Sequence, residues 1–152
     1  MPTYQVFMSP QCLSKESKQR VAQAITATHH DVTGAANFFA QVIFNARSAE
    51  DYYLGGLPLK APHLFVHGHI RARSLEIKQQ LAARLLDAVA DAAQLDKRYV
   101  WIYISDLQPE VMVEFGYPLP PPGKEAEWMA TLKPADLAYM QGLDFKQIQN
   151  HS

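Results

Sequence analysis

PTYQVFMSPQCLSKESKQRVAQAITATHHD, residues 2–31, aligns without a gap on PHLFVHGHIRARSLEIKQQLAARLLDAVAD, residues 62–91. The identical pairs at this offset are Pro2 and Pro62, Val6 and Val66, Ser14 and Ser74, Glu16 and Glu76, Lys18 and Lys78, Gln19 and Gln79, Ala22 and Ala82, and Asp31 and Asp91. The hydrophobic pattern continues to match as far as residues 44 and 104. A single offset that preserves both identities and pattern indicates two copies of one structural unit.

Each copy has the pattern of a strand, a helix and a second strand. Apolar periodicity typical of a helix begins just after Ser14 and just after Ser74, so both serines are predicted to be helix N-caps. Runs rich in aromatic and β-branched residues predict the strands, at residues 3–8, 38–44, 63–69 and 99–104. We therefore predict an α+β fold in which two tandem β-α-β units form a four-stranded sheet with both helices on one face. The apolar face left bare predicts an oligomer.

The chain is predicted to be one domain over residues 1–152, because its length suits a single core. The internal repeat covers residues 2–60 and 62–118, and a C-terminal arm covers residues 119–152. Three smaller features lie outside the predicted strand-helix-strand units. They are a loop at 45–61, a further strand or extended arm at 109–117, and a short helix at about 134–141 that begins with proline.

Composition excludes several classes of partner. The 14 lysines and arginines nearly balance the 15 aspartates and glutamates, which gives no reason to expect nucleic acid or an anionic membrane. Cys12 is the only cysteine, so an internal disulfide is impossible and a cytoplasmic location is expected. We see no signal peptide and no apolar run as long as a membrane span.

Pro2 is the most informative candidate for chemistry. Removal of Met1 from a Met-Pro start leaves a secondary amine, a group that no other residue type supplies. An α-amino group ordinarily titrates at about 7.7 to 8.0, so it can act as acid, base or nucleophile near neutral pH.

Arg71 and Arg73 stand just before the Ser74 cap and predict an anion site. Two guanidinium groups beside a helix N-terminus combine fixed positive charge with unpaired backbone N–H groups. The equivalent positions of the first repeat hold Gln11 and Leu13, so the fold unit itself does not require the charge. A small carboxylate is the expected ligand.

Three further residues can supply acid–base chemistry. His29 lies on the apolar face of the first predicted helix, Tyr103 lies in the middle of a strand, and Glu114 stands between Val113 and Phe115. With the amine and the arginines, they suffice for proton transfer or hydration of a small acid without a cofactor.

His67 and His69 are two residues apart on a predicted strand. Their side chains therefore lie on the same face and could share a metal ion. No third ligand stands at a convincing spacing, so we predict no metal site.

The sequence resembles the tautomerase superfamily, and within it the cis-3-chloroacrylic acid dehalogenase group. The segments that carry the resemblance are the start PTY, KQRVAQAITATHHDVTG, AQVIF, FVHG, VWIYIS, MVEFG and PPPGKEAEW. It implies a homotrimer with Pro2 as the catalytic proline, Arg71 and Arg73 as ligands of the substrate carboxylate, His29 as a substrate-binding catalytic residue, and Tyr103 with Glu114 as activators of water. The reaction it implies is hydration of a 3-halo-2-enoate.

Two positions depart from the group. The family arginines are separated by two residues, whereas only Ala72 stands between Arg71 and Arg73. Phe39 stands where a smaller aliphatic residue is usual, which predicts a narrower substrate pocket. Both departures favour a substrate other than the cis-haloacrylate.

Two alternative functions stay open at this point. One is a keto–enol tautomerase of a small 2-oxo acid or a phenylpyruvate-like substrate, in which Pro2 is neutral and acts as the base. The other is a non-enzymatic binding protein on the same fold, for which a retained Met1 would be the mark because it blocks the amine of Pro2.

Overall fold

The two repeats fold into one four-stranded sheet in the computed structural model, which describes residues 2–145. The elements in chain order are β1 (Thr3–Met8), α1 (Lys15–Thr33), β2 (Gln41–Ala46), β3 (Tyr53–Leu54), β4 (Leu57–Pro58), β5 (Leu64–Arg71), α2 (Leu75–Ala93), β6 (Val100–Leu107), β7 (Val113–Glu114), β8 (Tyr117–Pro118), α3 (Glu125–Thr131) and α4 (Pro134–Gln141). The sheet order is β2-β1-β5-β6. Met1 and the predicted arm beyond residue 145 lie outside the described residues.

The sheet has the symmetry that the repeat predicts. Strands β1 and β2 are parallel, β5 and β6 are parallel, and the two units meet where β1 and β5 run antiparallel. Val6 lies opposite Val66, its counterpart in the other repeat. The α+β prediction is confirmed.

Both predicted helix caps are present. The Ser14 hydroxyl accepts a hydrogen bond from Ser17 N at 3.1 Å, and the Ser74 hydroxyl accepts one from Ile77 N at 3.3 Å. Helix α1 ends at Thr33 and is capped by Gly34, whose φ of 73° is the left-handed conformation that glycine adopts without strain. This turn brings the chain back toward the start of β2.

The core lies between the sheet and the two long helices. Alternate residues of β1 and β5 face it, and they pack on the apolar stripes of α1 and α2. Side chains on the other face of the sheet are half-exposed, among them Ile43 at 42%, Trp101 at 42% and Tyr103 at 53%. The bare apolar face expected from the sequence is therefore present in the single chain.

Local structure differs from the prediction at four places. The predicted strand at 38–44 begins only at Gln41, because Asn37–Phe39 form a 3₁₀ turn closed by a hydrogen bond from Ala40 N to Asn37 O. The predicted further strand or extended arm at 109–117 is present only in part, as the short strand β7. A 3₁₀ turn precedes β7, which pairs with β8 in a hairpin whose turn residues Phe115 and Gly116 have φ of 54° and 85°.

The other two differences concern short elements outside the two predicted strand-helix-strand units. The predicted loop at 45–61 contains the β3–β4 hairpin. Helix α4 confirms the predicted helix at 134–141, but α3 was not predicted. None of the helices within residues 2–145 is long and apolar enough to cross a lipid bilayer.

Candidate active site

Pro2 lies at one end of the sheet, where several chain segments converge. It is fully buried, and its carbonyl accepts a hydrogen bond from Gln41 N at 2.9 Å. Thr3 lies opposite His69 in the antiparallel register, so Pro2 lies beside the last residues of β5. A β-α-β connection returns the chain to the start of its first strand, which brings the C-terminal turn of α1 to the same end. This end of the sheet thus collects Pro2, His29, Arg71 and Arg73.

His29 is held in one orientation by Tyr4. The Tyr4 hydroxyl lies 2.7 Å from His29 Nδ1, and both side chains are buried. Burial, followed by the positive charge of Arg73, lowers the pKa of His29 to about 3. Burial also raises the pKa of the Tyr4 phenol, so it keeps its proton. The imidazole is therefore neutral near pH 7. We assign the donor role to the Tyr4 hydroxyl, whose hydrogen-bond partner within residues 2–145 is His29 Nδ1, and this assignment leaves the imidazole proton on Nε2.

Arg71 is buried and already engaged by the protein. It is 2% exposed, and its Nη1 donates to Pro120 O at 3.0 Å. Its Nη2 donates to Glu125 Oε1 in a close ion pair. Nε has no hydrogen-bond partner within residues 2–145. The carboxylate that contacts Arg71 here is thus one of the chain's own.

Arg73 lines a cavity of about 400 Å³ at the same end of the sheet. The C-terminal turn of α1, Phe39, Glu125 and Met129 form the other walls. Burial and the charge of Arg71 lower the pKa of Arg73, although its guanidinium stays cationic. Within residues 2–145 its side chain makes one hydrogen bond, from Nη1 to Ala72 O at 3.0 Å. The cavity therefore offers further guanidinium donors to an anion.

Phe39 separates this cavity from a second one. It is buried against Phe115 and Trp128, with ring centroids 6.2 and 5.8 Å away. It also lines a cavity of about 670 Å³ that contains Glu114. Within one chain, Glu114 and Arg73 line neighbouring cavities with an aromatic wall between them.

Tyr103 lies apart from both cavities. It pairs with His67 on β5, which in turn pairs with Gln5, so Tyr103 lies two strands from β1. It points to the bare face and lines a cavity of about 310 Å³ with Phe7, Phe65 and Trp101. One chain alone does not bring Tyr103 to Pro2.

His67 and His69 also lie on the bare face. Their ring centroids are 4.1 Å apart, and His67 Nε2 shares a hydrogen bond with Ser105 Oγ at 2.5 Å. Within the described part of the chain, no three histidine, cysteine or acidic side chains form a group that could hold a metal ion.

Sequence reasoning missed two residues of this region, Tyr4 and Glu125. Tyr4 occupies an inward position of a strand, where a buried phenol requires a hydrogen-bond partner. That requirement could have identified Tyr4 from the sequence as a residue that pairs with another buried polar group. Glu125 follows the proline run, and nothing in the local pattern shows that it meets Arg71.

Comparisons with known proteins agree with this architecture. Residues 1–133 match the family model described as "Putative oxalocrotonate tautomerase enzyme". A crystal structure of N1, a member of the cis-3-chloroacrylic acid dehalogenase family, is 33% identical with a TM-score of 0.88 and covers 92% of this chain and 99% of its own. No curated protein matches the chain.

More distant structures share the fold. A symmetric trimer of wild-type fused 4-OT is 19% identical, with a TM-score of 0.66, over 74% of this chain and 90% of its own. Pt0534 inactivated by 2-oxo-3-pentynoate is 17% identical, with a TM-score of 0.69, over 77% of this chain and 94% of its own. The chain belongs to the tautomerase superfamily of enzymes and, within it, to the cis-3-chloroacrylic acid dehalogenase-like group.

Proposed function

We propose that this protein, once Met1 is removed, is a cofactor-independent hydratase or dehalogenase-type lyase acting on a small unsaturated carboxylic acid. A 3-halo-2-enoate or an acetylenic acid has the required chemistry. The observation that carries the proposal is the convergence of the β1 N-terminus with His29, Arg71 and Arg73 at one end of the sheet. The N1 relative, a member of the dehalogenase family, supports the same reaction class.

The substrate carboxylate binds through Arg73 and His29. Arg73 supplies charge and N–H donors in the cavity, and a neutral His29 donates from Nε2. These contacts polarise the conjugated double bond and lower the electron density at its β-carbon. The protonated amine of Pro2 then delivers a proton to the α-carbon as general acid.

Water is the nucleophile at the β-carbon, activated by Glu114 and Tyr103. Addition of water to a 3-halo-2-enoate places hydroxyl and halogen on one carbon. This halohydrin expels halide and a proton to give malonate semialdehyde. An acetylenic acid gives the corresponding enol by the same addition.

A homotrimer reconciles this mechanism with the location of Tyr103. The bare sheet face of the chain and the trimeric fused 4-OT relative support such an assembly. Because Tyr103 lies on that face, away from Pro2 of its own chain, it contributes to the site of a neighbouring subunit. Phe39 has to move for the substrate to contact both Glu114 and Arg73.

The test compares the wild-type protein with Pro2→Ala on cis-3-chloroacrylate and on acetylenic acids. Alanine at position 2 also permits removal of Met1, so the variant exchanges a secondary for a primary amine at the same place. We expect halide and malonate semialdehyde from the wild type, and turnover at least tenfold lower in the variant. Equal rates in both proteins would contradict a role for Pro2.

A keto–enol tautomerase is the second candidate, and the charges of the site favour it. Arg73 lies at the same end of the sheet as Pro2, and a nearby cation lowers the pKa of an amine. A neutral Pro2 would act as base on a 2-oxo acid, a reaction that does not require Glu114 or Tyr103. Ketonisation of enol phenylpyruvate with no hydration of any unsaturated acid would select this function.

A further inference from the structure

Glu125 places a third charge beside the two arginines. Its carboxylate pairs with Arg71, and it lines the same cavity as Arg73. Its side chain is 32% exposed, so it contacts both the protein interior and the cavity. Burial opposes ionisation, but the hydrogen bond and the charge of Arg71, together with backbone hydrogen bonds at Glu125 and Gly123, hold the pKa of Glu125 below its usual range. The carboxylate is therefore ionised at neutral pH.

Two other ionisable side chains near the arginines, His29 and Asp106, leave this balance unchanged. His29 is neutral because burial holds its pKa far below neutrality. Asp106 lies near Arg73, but its Oδ2 forms an ion pair with Lys78 and its Oδ1 accepts from Arg73 N at 3.4 Å. Within residues 2–145, Arg73 and Glu125 line the cavity, and the buried Arg71 pairs with Glu125 behind it, so these three groups together carry one positive charge in excess.

We infer that Glu125 is a specificity-determining residue, because its carboxylate neutralises Arg71 and leaves Arg73 as the one guanidinium of the pair that is available to a substrate carboxylate. The site consequently selects monocarboxylates over dicarboxylates. A second carboxylate on the ligand finds Arg71 occupied and is repelled by Glu125 within a partly buried cavity, where charges are weakly screened. The inference rests on the proposed function, since it names the class of acid that the same site accepts.

The test measures binding rather than turnover, so that it does not depend on the reaction. Propanoate and malonate have three carbons each and differ by one carboxylate, and neither has a double bond to hydrate. Their affinities are measured by calorimetric titration at slightly alkaline pH, where malonate is a dianion, on the wild type, Glu125→Gln and Glu127→Gln. Glutamine keeps a hydrogen-bond acceptor for Arg71 but removes the charge. Glu127 is the matched control because it lies on the same helix α3, exposed and paired with Lys124.

We expect the wild type to prefer propanoate over malonate by at least tenfold. Glu125→Gln should raise the affinity for malonate relative to propanoate by at least tenfold, and Glu127→Gln should keep the wild-type ratio. An unchanged ratio in a folded Glu125→Gln protein overturns the inference.

The wild type alone also tests the inference, even if the variant does not fold. Equal binding of the two acids by the wild type rejects the role of Glu125 while leaving the anion site in place. Binding of neither acid removes the carboxylate site of the proposed function, and the inference with it.

Discussion

Replacing Tyr4 by phenylalanine removes a single hydroxyl from the interior and leaves the ring in place. That hydroxyl lies 2.7 Å from His29 Nδ1, and Tyr4 and His29 are 0% and 4% exposed. A hydrogen bond contributes about 1 kcal/mol net, and leaving a buried partner unpaired costs about 1–3 kcal/mol. We therefore expect the free energy of unfolding to fall by about 2 kcal/mol. For a chain of this length, this corresponds to a melting temperature lower by roughly 4–8 °C.

Urea unfolding of the wild type, Tyr4→Phe and Tyr139→Phe measures this effect. Tyr139 is 64% exposed, so loss of its hydroxyl should change stability by less than about 0.5 kcal/mol. The Tyr4 variant should also lose activity, because nothing then fixes the proton of His29 on Nε2. Stability and turnover both equal to the wild type would refute the assignment of Tyr4 as the positioning residue of His29.

Three further changes test other parts of the account. Arg73→Ala should lower kcat/KM for any carboxylate substrate at least tenfold, because it removes the guanidinium that is available to the substrate carboxylate; wild-type kinetics would dismiss the anion site. Gly68→Ala should lower the free energy of unfolding by about 1–3 kcal/mol, because the added Cβ would lie 2.5 Å from Tyr4 Cε1 and 3.1 Å from Ile104 Cδ1. Unchanged stability in thermal unfolding would argue against this packing. His29 should make stability rise with pH from about 3 to 6.5, because only the unfolded chain is protonated in this range. That contribution is complete above pH 6.5 and is lost progressively on acidification, by up to about 1.4 kcal/mol per pH unit; a His29→Gln variant with the same pH dependence of unfolding as the wild type would contradict it.

The fold was largely predictable because the patterns that specify its strands and helices are local in sequence and occur twice. Apolar periodicity after Ser14 and Ser74 marks both helices, and each serine caps its helix as expected. Two β-α-β units with right-handed crossovers leave few arrangements for the sheet. Most errors fall in the connections outside the strand-helix-strand units, but one lies within the first unit at Asn37–Phe39, where a 3₁₀ turn holds residues with strand-like composition.

The site was less predictable because its contacts are distant in sequence. Arg71 and Glu125 are 54 residues apart, and no periodicity connects a strand end with a helix that follows a proline run. The sequence indicated which groups supply acid–base chemistry, but not that Phe39 stands between Glu114 and Arg73 or that Tyr103 points to the bare face. The catalytic roles of these residues stay predictions.

The central claim is that a free Pro2 amine works beside a carboxylate site and activated water. The most direct measurement is the intact mass of the purified protein before and after incubation with a 3-halopropiolate. Hydration of this alkyne produces an acyl halide, or a ketene after loss of hydrogen halide, and either one acylates the nearest amine to give an amide. We expect Met1 to be absent and one adduct to form per chain, located on Pro2 by peptide mapping. A protein that lacks Met1 but forms no adduct would contradict the hydratase function and favour the tautomerase, whereas a retained Met1 would contradict amine chemistry and favour a binding protein.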